Sequence, residues 1–115
     1  MRAAIMSILL AVGCAANTPL APDGLPNWVT SLVQQLEAEP ATNPPALIAR
    51  YQYQGRLVYF VPSRCCDRWS DLYEADGMLR CHPDGGLTGR GDGRCPDFLA
   101  QRKSEEIIWR DSRAP

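Results

Sequence analysis

Four cysteines in the second half of the chain, Cys65, Cys66, Cys81 and Cys95, constrain this sequence more than any other feature. A chain of 115 residues holds one small domain, and exported domains of that size commonly lean on disulfides. A trans peptide fixes the Cα atoms of Cys65 and Cys66 at about 3.8 Å, below the usual disulfide span of about 4.4–6.8 Å. Each neighbour is therefore expected to bond elsewhere. The pairing is Cys65 with Cys81 and Cys66 with Cys95, or Cys65 with Cys95 and Cys66 with Cys81. Either pairing ties Cys95 back to the Cys65-Cys66 corner.

The fifth cysteine, Cys14, belongs to the leader. Met1-Arg2 is a short basic start and Ile5 to Val12 an almost unbroken apolar run. That run is too short for a permanent membrane span but suits the core of an export signal. Ala11-Val12-Gly13-Cys14 resembles a bacterial lipobox, whose cysteine is acylated and becomes the mature N-terminus. Ala11 stands where Leu is usual. The leader is also short for its class, which leaves room for an upstream start. Ordinary cleavage after Cys14-Ala15-Ala16, giving a soluble periplasmic or secreted protein, is the alternative. The expected organisation is a signal peptide over 1–13, an anchor cysteine and tether over 14–24, one domain over 25–111 and a tail over 112–115. Ala15 lacks the aspartate that retains lipoproteins in the inner membrane, so an outer-membrane anchor facing the periplasm is expected. Setting Cys14 aside leaves an even set of four cysteines, as disulfides require.

Composition narrows the functions. The formal net charge is −1 and the basic residues, eleven arginines and one lysine, are scattered. No electrostatic case for nucleic acid follows. An apolar content of 45% is ordinary for a globular core.

Along the domain, Leu25, Trp28, Val29, Leu32, Val33 and Leu36 recur at helical spacing, with Pro26 in the first turn and Pro40 as the stop. "ALIARYQYQGRLVYFVP" reads as a hairpin turning at Gln54-Gly55, and "DLYEADGMLRC" as a second one turning at Ala75-Asp76-Gly77. A short helix after Pro96 and a last strand in "EEIIWRD" complete the order. The expected fold class is α+β: one N-terminal amphipathic helix packed on an antiparallel sheet of about four to five strands, with a disulfide-stapled Gly-rich loop.

That loop, "HPDGGLTGRGDGRCPD" from His82 to Asp97, is the candidate binding segment through Asp84, Arg90, Asp92 and Asp97. Its glycines fit neither a P-loop nor a dinucleotide fingerprint. The aspartates could offer oxygens to Ca²⁺, but lack EF-hand spacing, and Asp beside Gly is ordinary turn chemistry. Arg90-Gly91-Asp92 spells an integrin-type tripeptide, a string short enough to recur by chance. Cys65, Cys66, Cys81, His82 and Cys95 lack the spacing of a structural zinc site. His82 is the sole histidine and, with Asp84 or Asp67, makes at most a weak acid/base pair. Ser63, Ser70 and Ser104 sit in no nucleophile elbow. No catalytic residue, metal or cofactor is assigned.

"CCDRWSDLYEADGMLRCHPDGGLTGRGDGRCPDF", preceded by the tyrosine-rich hairpin and followed by "IIW", resembles the signature of a family of small exported bacterial proteins. Many of these read as lipoproteins, and they are catalogued as a domain of unknown function. The resemblance covers most of residues 28–110 and implies export and the domain limits, with no activity to transfer. The resulting expectation is an envelope protein, anchored to the membrane through Cys14, monomeric and not an enzyme. It would bind an envelope protein partner, in the manner of an inhibitor by fold analogy, through the loop and the aromatics Tyr51, Tyr53, Tyr59 and Trp69. The alternative is a cation- or small-ligand-binding domain centred on the loop, and a small enzyme using His82 stands behind both.

Overall fold

The computed structural model describes residues 24–65 and 67–115. Residues 1–23 and Cys66 lie outside the described residues, and with them the expected signal peptide, the lipobox reading at Cys14 and most of the expected tether. β1 (Leu47–Tyr53), β2 (Arg56–Val61), β3 (Asp71–Glu74), β4 (Leu79–Cys81) and β5 (Lys103–Arg110) form one antiparallel sheet in the order β4-β3-β2-β1-β5, with helices on both of its faces. Among the described residues no helix is long and apolar enough to cross a membrane.

Helix α1, Asn27–Ala38, follows Pro26, whose φ of −56° is already helical. It stops where Glu39 turns extended (ψ 156°) ahead of Pro40, because a proline disfavours helical geometry in the residue before it. Val29 and Leu36 are buried, and Trp28, Leu32 and Val33 pack beside them. They meet Ala46, Ile48, Tyr59 and Val61 on the sheet. The Trp28 indole lies edge-on to Tyr59 at 5.0 Å, and its Nε1 donates to Ala75 O at 2.9 Å. The start of α1 is thus latched to the β3–β4 turn.

β1 (Leu47–Tyr53) and β2 (Arg56–Val61) are joined by Gln54 and Gly55. Both have positive φ, 52° and 72°, as a type I′ hairpin turn requires. This turn sets the register: Tyr53 pairs with Arg56, Tyr51 with Val58 and Ala49 with Phe60. Side chains alternate across a strand, so Ala49, Tyr51 and Tyr53 share a face with Val58 and Phe60. Ile48 falls on the α1 side with Leu57, Tyr59 and Val61. β3 (Asp71–Glu74) pairs with β2, and the Asp76-Gly77 turn leads into β4, Leu79–Cys81. β5 (Lys103–Arg110) pairs with β1 at the far edge, with two register shifts along the way.

The short helix expected after Pro96 forms, and it covers the second face, where the expected architecture placed no helix. Helix α2, Phe98–Gln101, drives a fully buried Phe98 into Tyr51, Tyr53 and Phe60, with ring centroids 5.6, 5.2 and 5.0 Å away. Such edge-to-face and tilted pairs each add about 0.5–1.5 kcal/mol beyond area burial. Arg102 lies over the Tyr51 ring at 4.9 Å. Tyr51 Oη donates to Glu105 Oε1 at 2.5 Å. Burial, reinforced by Glu105, pushes the Tyr51 hydroxyl up to about 12.

Two expectations need correction. Tyr51, Tyr53 and Tyr59 are core residues and not exposed contacts, leaving Trp69 as the exposed member of that group. Cys81 bonds to Cys95, with Cα atoms 6.2 Å apart, so neither cross-pairing with Cys65 and Cys66 forms. Both sulfurs sit in the Phe98 cluster. The end of β4 and the return of the loop converge on the same buried spot, which no spacing in the sequence indicates. Cys65 is disulfide-bonded too. Arg113, assigned to the tail, donates to Asp111 Oδ2 and Glu39 O, both at 2.8 Å.

Candidate functional site

The loop from His82 to Asp97 owes its shape to backbone approaches that only glycine permits. A Cβ on Gly91 would lie 1.9 Å from His82 O, and one on Gly86 would lie 2.0 Å from Trp69 Nε1. Both glycines have positive φ, 67° and 75°. The indole of Trp69 therefore rests directly against the loop backbone. Ser70 ties the two segments together: its N–H donates to Asp84 O at 3.1 Å and its Oγ accepts from Asp84 N–H at 3.1 Å.

The candidate aspartates serve separate contacts. Asp92 Oδ2 accepts from His82 N–H and Oδ1 from Arg94 N–H, each at 3.0 Å, while Asp92 N–H donates to His82 O at 2.9 Å. Burial pushes the Asp92 carboxyl up, but the two backbone donors outweigh it and hold it below the usual range. Asp97 Oδ1 accepts from Tyr53 Oη at 2.5 Å. Asp84 acts through its backbone on Ser70. Among the described residues no group of three His, Cys, Asp or Glu side chains is placed to hold a metal ion. Arg90 is exposed, with its N–H on Thr88 Oγ1 at 3.2 Å. With Gly91 packed inward and the Asp92 carboxylate committed to the backbone, Arg90-Gly91-Asp92 is not displayed as an adhesive tip.

His82 pairs with neither Asp84 nor Asp67. Leu72 lies opposite Cys81 in the β3–β4 ladder, which brings Asp71 beside His82. Nδ1 is 2.9 Å from Asp71 Oδ1 and 2.8 Å from Ser70 O. With two acceptors before it, Nδ1 carries the proton. The imidazole packs against the Trp69 ring at 4.3 Å, tilted by 37°. The hydroxyls of Ser63 and Ser70 meet Cys65 O and Asp84 O.

Two hollows flank Trp69. One, of about 330 Å³, opens between the end of α1 and the β2–β3 connection, with Leu36 and Val61 among its apolar lining and Gln35, Glu39, Arg68, Trp69, Asp71 and Tyr73 around it. Arg64 lines it too and donates to Glu39 Oε2. That bond is the main cause holding the Glu39 carboxyl low. Burial, with Asp71 adjacent, pushes the Tyr73 hydroxyl up to about 12. The other hollow, about 360 Å³, is framed by Asp67, Trp69, Gly86, Leu87, Thr88 and Gly91. Leu87 stands 92% exposed and Trp69 49% exposed. Sequence reasoning named Trp69 but missed Leu87 and the Glu39–Arg64–Arg68 group. Leu87, lodged between glycines and a threonine, was the one readable signal, an apolar residue where turn chemistry favours polar ones.

A family model matches residues 34–111, from within α1 to the end of the sheet. The chain belongs to DUF6970, a domain of unknown function. The DUF6970 match takes in the disulfide, the glycine loop and, apart from Leu32, the lining of both hollows. No curated protein and no solved structure matches the chain.

Proposed function

We propose that this chain is an exported, lipid-anchored envelope protein whose domain is a non-enzymatic binding module, docking a protein partner through the apex of the stapled loop. One observation carries the reading: Leu87, 92% exposed, projects from a loop whose backbone is fixed by Cys95, Asp92, Ser70 and the Trp69 indole. The half-exposed Trp69, of a residue type enriched in binding hot spots, stands beside Leu87 on a backbone already fixed, so contact area is offered at a reduced ordering cost. An inhibitor-like mode fits the same geometry. Export and the anchor rest on Met1-Arg2, the Ile5–Val12 run and Cys14, and outer-membrane placement on Ala15. Both sheet edges discourage self-association, which supports a monomer. β4 has three residues, and β5 carries two register shifts together with Lys103, Glu105, Glu106 and Arg110. The His82 ring is held by Ser70 O and Asp71, which favours a structural role over proton transfer.

The test is site-specific photo-crosslinking in intact cells, with the crosslinker at Leu87 and, as control, at Glu106 on β5. One discrete adduct from position 87 and none from 106 is expected. Equal adducts from both positions, or none from 87, would overturn the reading. Intact mass of the envelope-derived protein tests the anchor: acylation at Cys14 is expected, and a mature chain beginning at Asn17 would replace it with a soluble form.

A further inference from the structure

The hollow between α1 and the β2–β3 connection has a character distinct from the loop apex. Its apolar lining includes Leu36 and Val61, and Trp69 contributes an indole with half its surface free. Gly86 and His82 hold that indole in place, so its orientation is set before any ligand arrives. Around it stand planar polar groups: the Asp71 and Glu39 carboxylates, the Arg68 guanidinium and the Gln35 amide.

Charge decides among ligand classes. Two carboxylates, Glu39 and Asp71, face two guanidiniums, Arg64 and Arg68. Arg64 is spent on Glu39, and Arg68 also lies 4.0 Å from Glu39. Asp71 is engaged by His82. No surplus of either sign remains to capture an anion or a cation. A ligand matching this wall carries an apolar face for the indole and a rim of hydroxyls for fork-shaped donors and acceptors, with no net charge. A volume of about 330 Å³ sits at the lower end of the small-molecule range of about 300–1,000 Å³, which suits a ring-sized ligand.

We infer that this hollow is a binding site for a neutral saccharide ring, stacked on Trp69 and hydrogen-bonded by Asp71, Arg68 and Gln35. It shares Trp69 with the docking surface at Leu87 but does not rest on that reading. The ring's axial C–H groups lie against the indole face, and its hydroxyls reach carboxylate, guanidinium and amide. The loop thereby serves the site as a buttress for the tryptophan.

The experiment is saturation-transfer NMR on the full chain in a non-glycosidic detergent, with the methyl glycosides of glucose, galactose and N-acetylglucosamine as probes. Saturable transfer concentrated on the ring C–H protons of one face is expected for at least one of them. Arg68→Ala and Gln35→Ala, both on exposed residues, should keep the wild-type melting temperature. Arg68→Ala should weaken the apparent Kd about tenfold, the effect of losing one hydrogen bond to a charged group. Gln35→Ala should weaken it less. Absence of saturable transfer with all three glycosides overturns the inference, as does transfer that neither substitution diminishes. Competition by inorganic sulfate at matched ionic strength overturns it too, since it would mark an anion site. Crosslinking from Leu87 is unaffected by any of these outcomes.

Discussion

The two faces of the sheet are built on different terms. The α1 face is closed by a regular helix whose Val29 and Leu36 drop onto Ile48, Tyr59 and Val61; periodicity alone specifies it. The loop face is closed by a four-residue helix, one disulfide and a sixteen-residue excursion with little regular structure. The irregular backbone bonds only in part to itself, so side chains complete it: Asp92 takes two N–H groups and Ser70 takes that of Asp84, while Asp97 accepts from a buried tyrosine hydroxyl. The lesson is that the regular helical scaffold and the irregular loop lie on opposite sides of one sheet, and the loop side carries a covalent tie at the centre of its core.

The sharpest way to break this contrast is Phe98→Ala. It should cost about 3–5 kcal/mol, because it empties the centre of the aromatic cluster. Val29→Ala on the opposite face, losing two methyl groups, should cost about 2 kcal/mol. Denaturant titration compares the two, and equal costs would mean the faces share the load. Next comes the staple. Cys81→Ala with Cys95→Ala should lose about 3 kcal/mol, as expected for a closed loop near fifteen residues. Amide exchange should rise across 82–97 while α1 keeps its protection; uniform loss across both faces would contradict the comparison.

Gly86→Ala acts more locally. The added methyl has no room beside Trp69 and sits at positive φ, so a destabilisation above about 1 kcal/mol is expected. Trp69 fluorescence should change while the Trp28 contacts stay, and an unaltered Trp69 environment would show that the loop does not buttress the indole. The smallest effect is on pH. The folded Asp92 carboxyl lies below its usual range, so its contribution is present above the unfolded pKa and is lost as pH falls through the lower, folded value. Exchange at the His82 and Arg94 amides should accelerate in that acidic window. Asp92→Asn should abolish that step, and an unchanged acid profile would remove Asp92 from the account.

The sequence spoke clearly wherever local rules suffice. The helix stripe, Gln54-Gly55, Asp76-Gly77 and the strand ending in "IIWR" each carry their own signal, and the sheet follows from them. What stayed hidden depends on which distant segments share a face. A two-residue turn decides that Tyr51 joins Phe60 and that Tyr59 joins Val29, so alternation alone left the tyrosines open to either side. The same limit applied to Cys81 and Cys95: adjacency argued about Cys65 and Cys66, while the deciding fact was a common burial site at Phe98. His82 met Asp71 through strand register, which composition cannot supply. At the candidate site, Trp69 was legible as an aromatic, but its fixed posture depends on Gly86, seventeen positions away.

The latch between Trp28 and the carbonyl of Ala75 has a mechanical consequence. A pull on the N-terminal end of the domain enters through α1, whose leading turn meets the sheet by side-chain packing and by this indole bond. Tension would therefore peel the helix from that end while the ladder between β1 and β2 and the covalent tie at Cys95 remain unloaded. The stapled loop keeps its shape even when the domain is stretched from its N-terminal end.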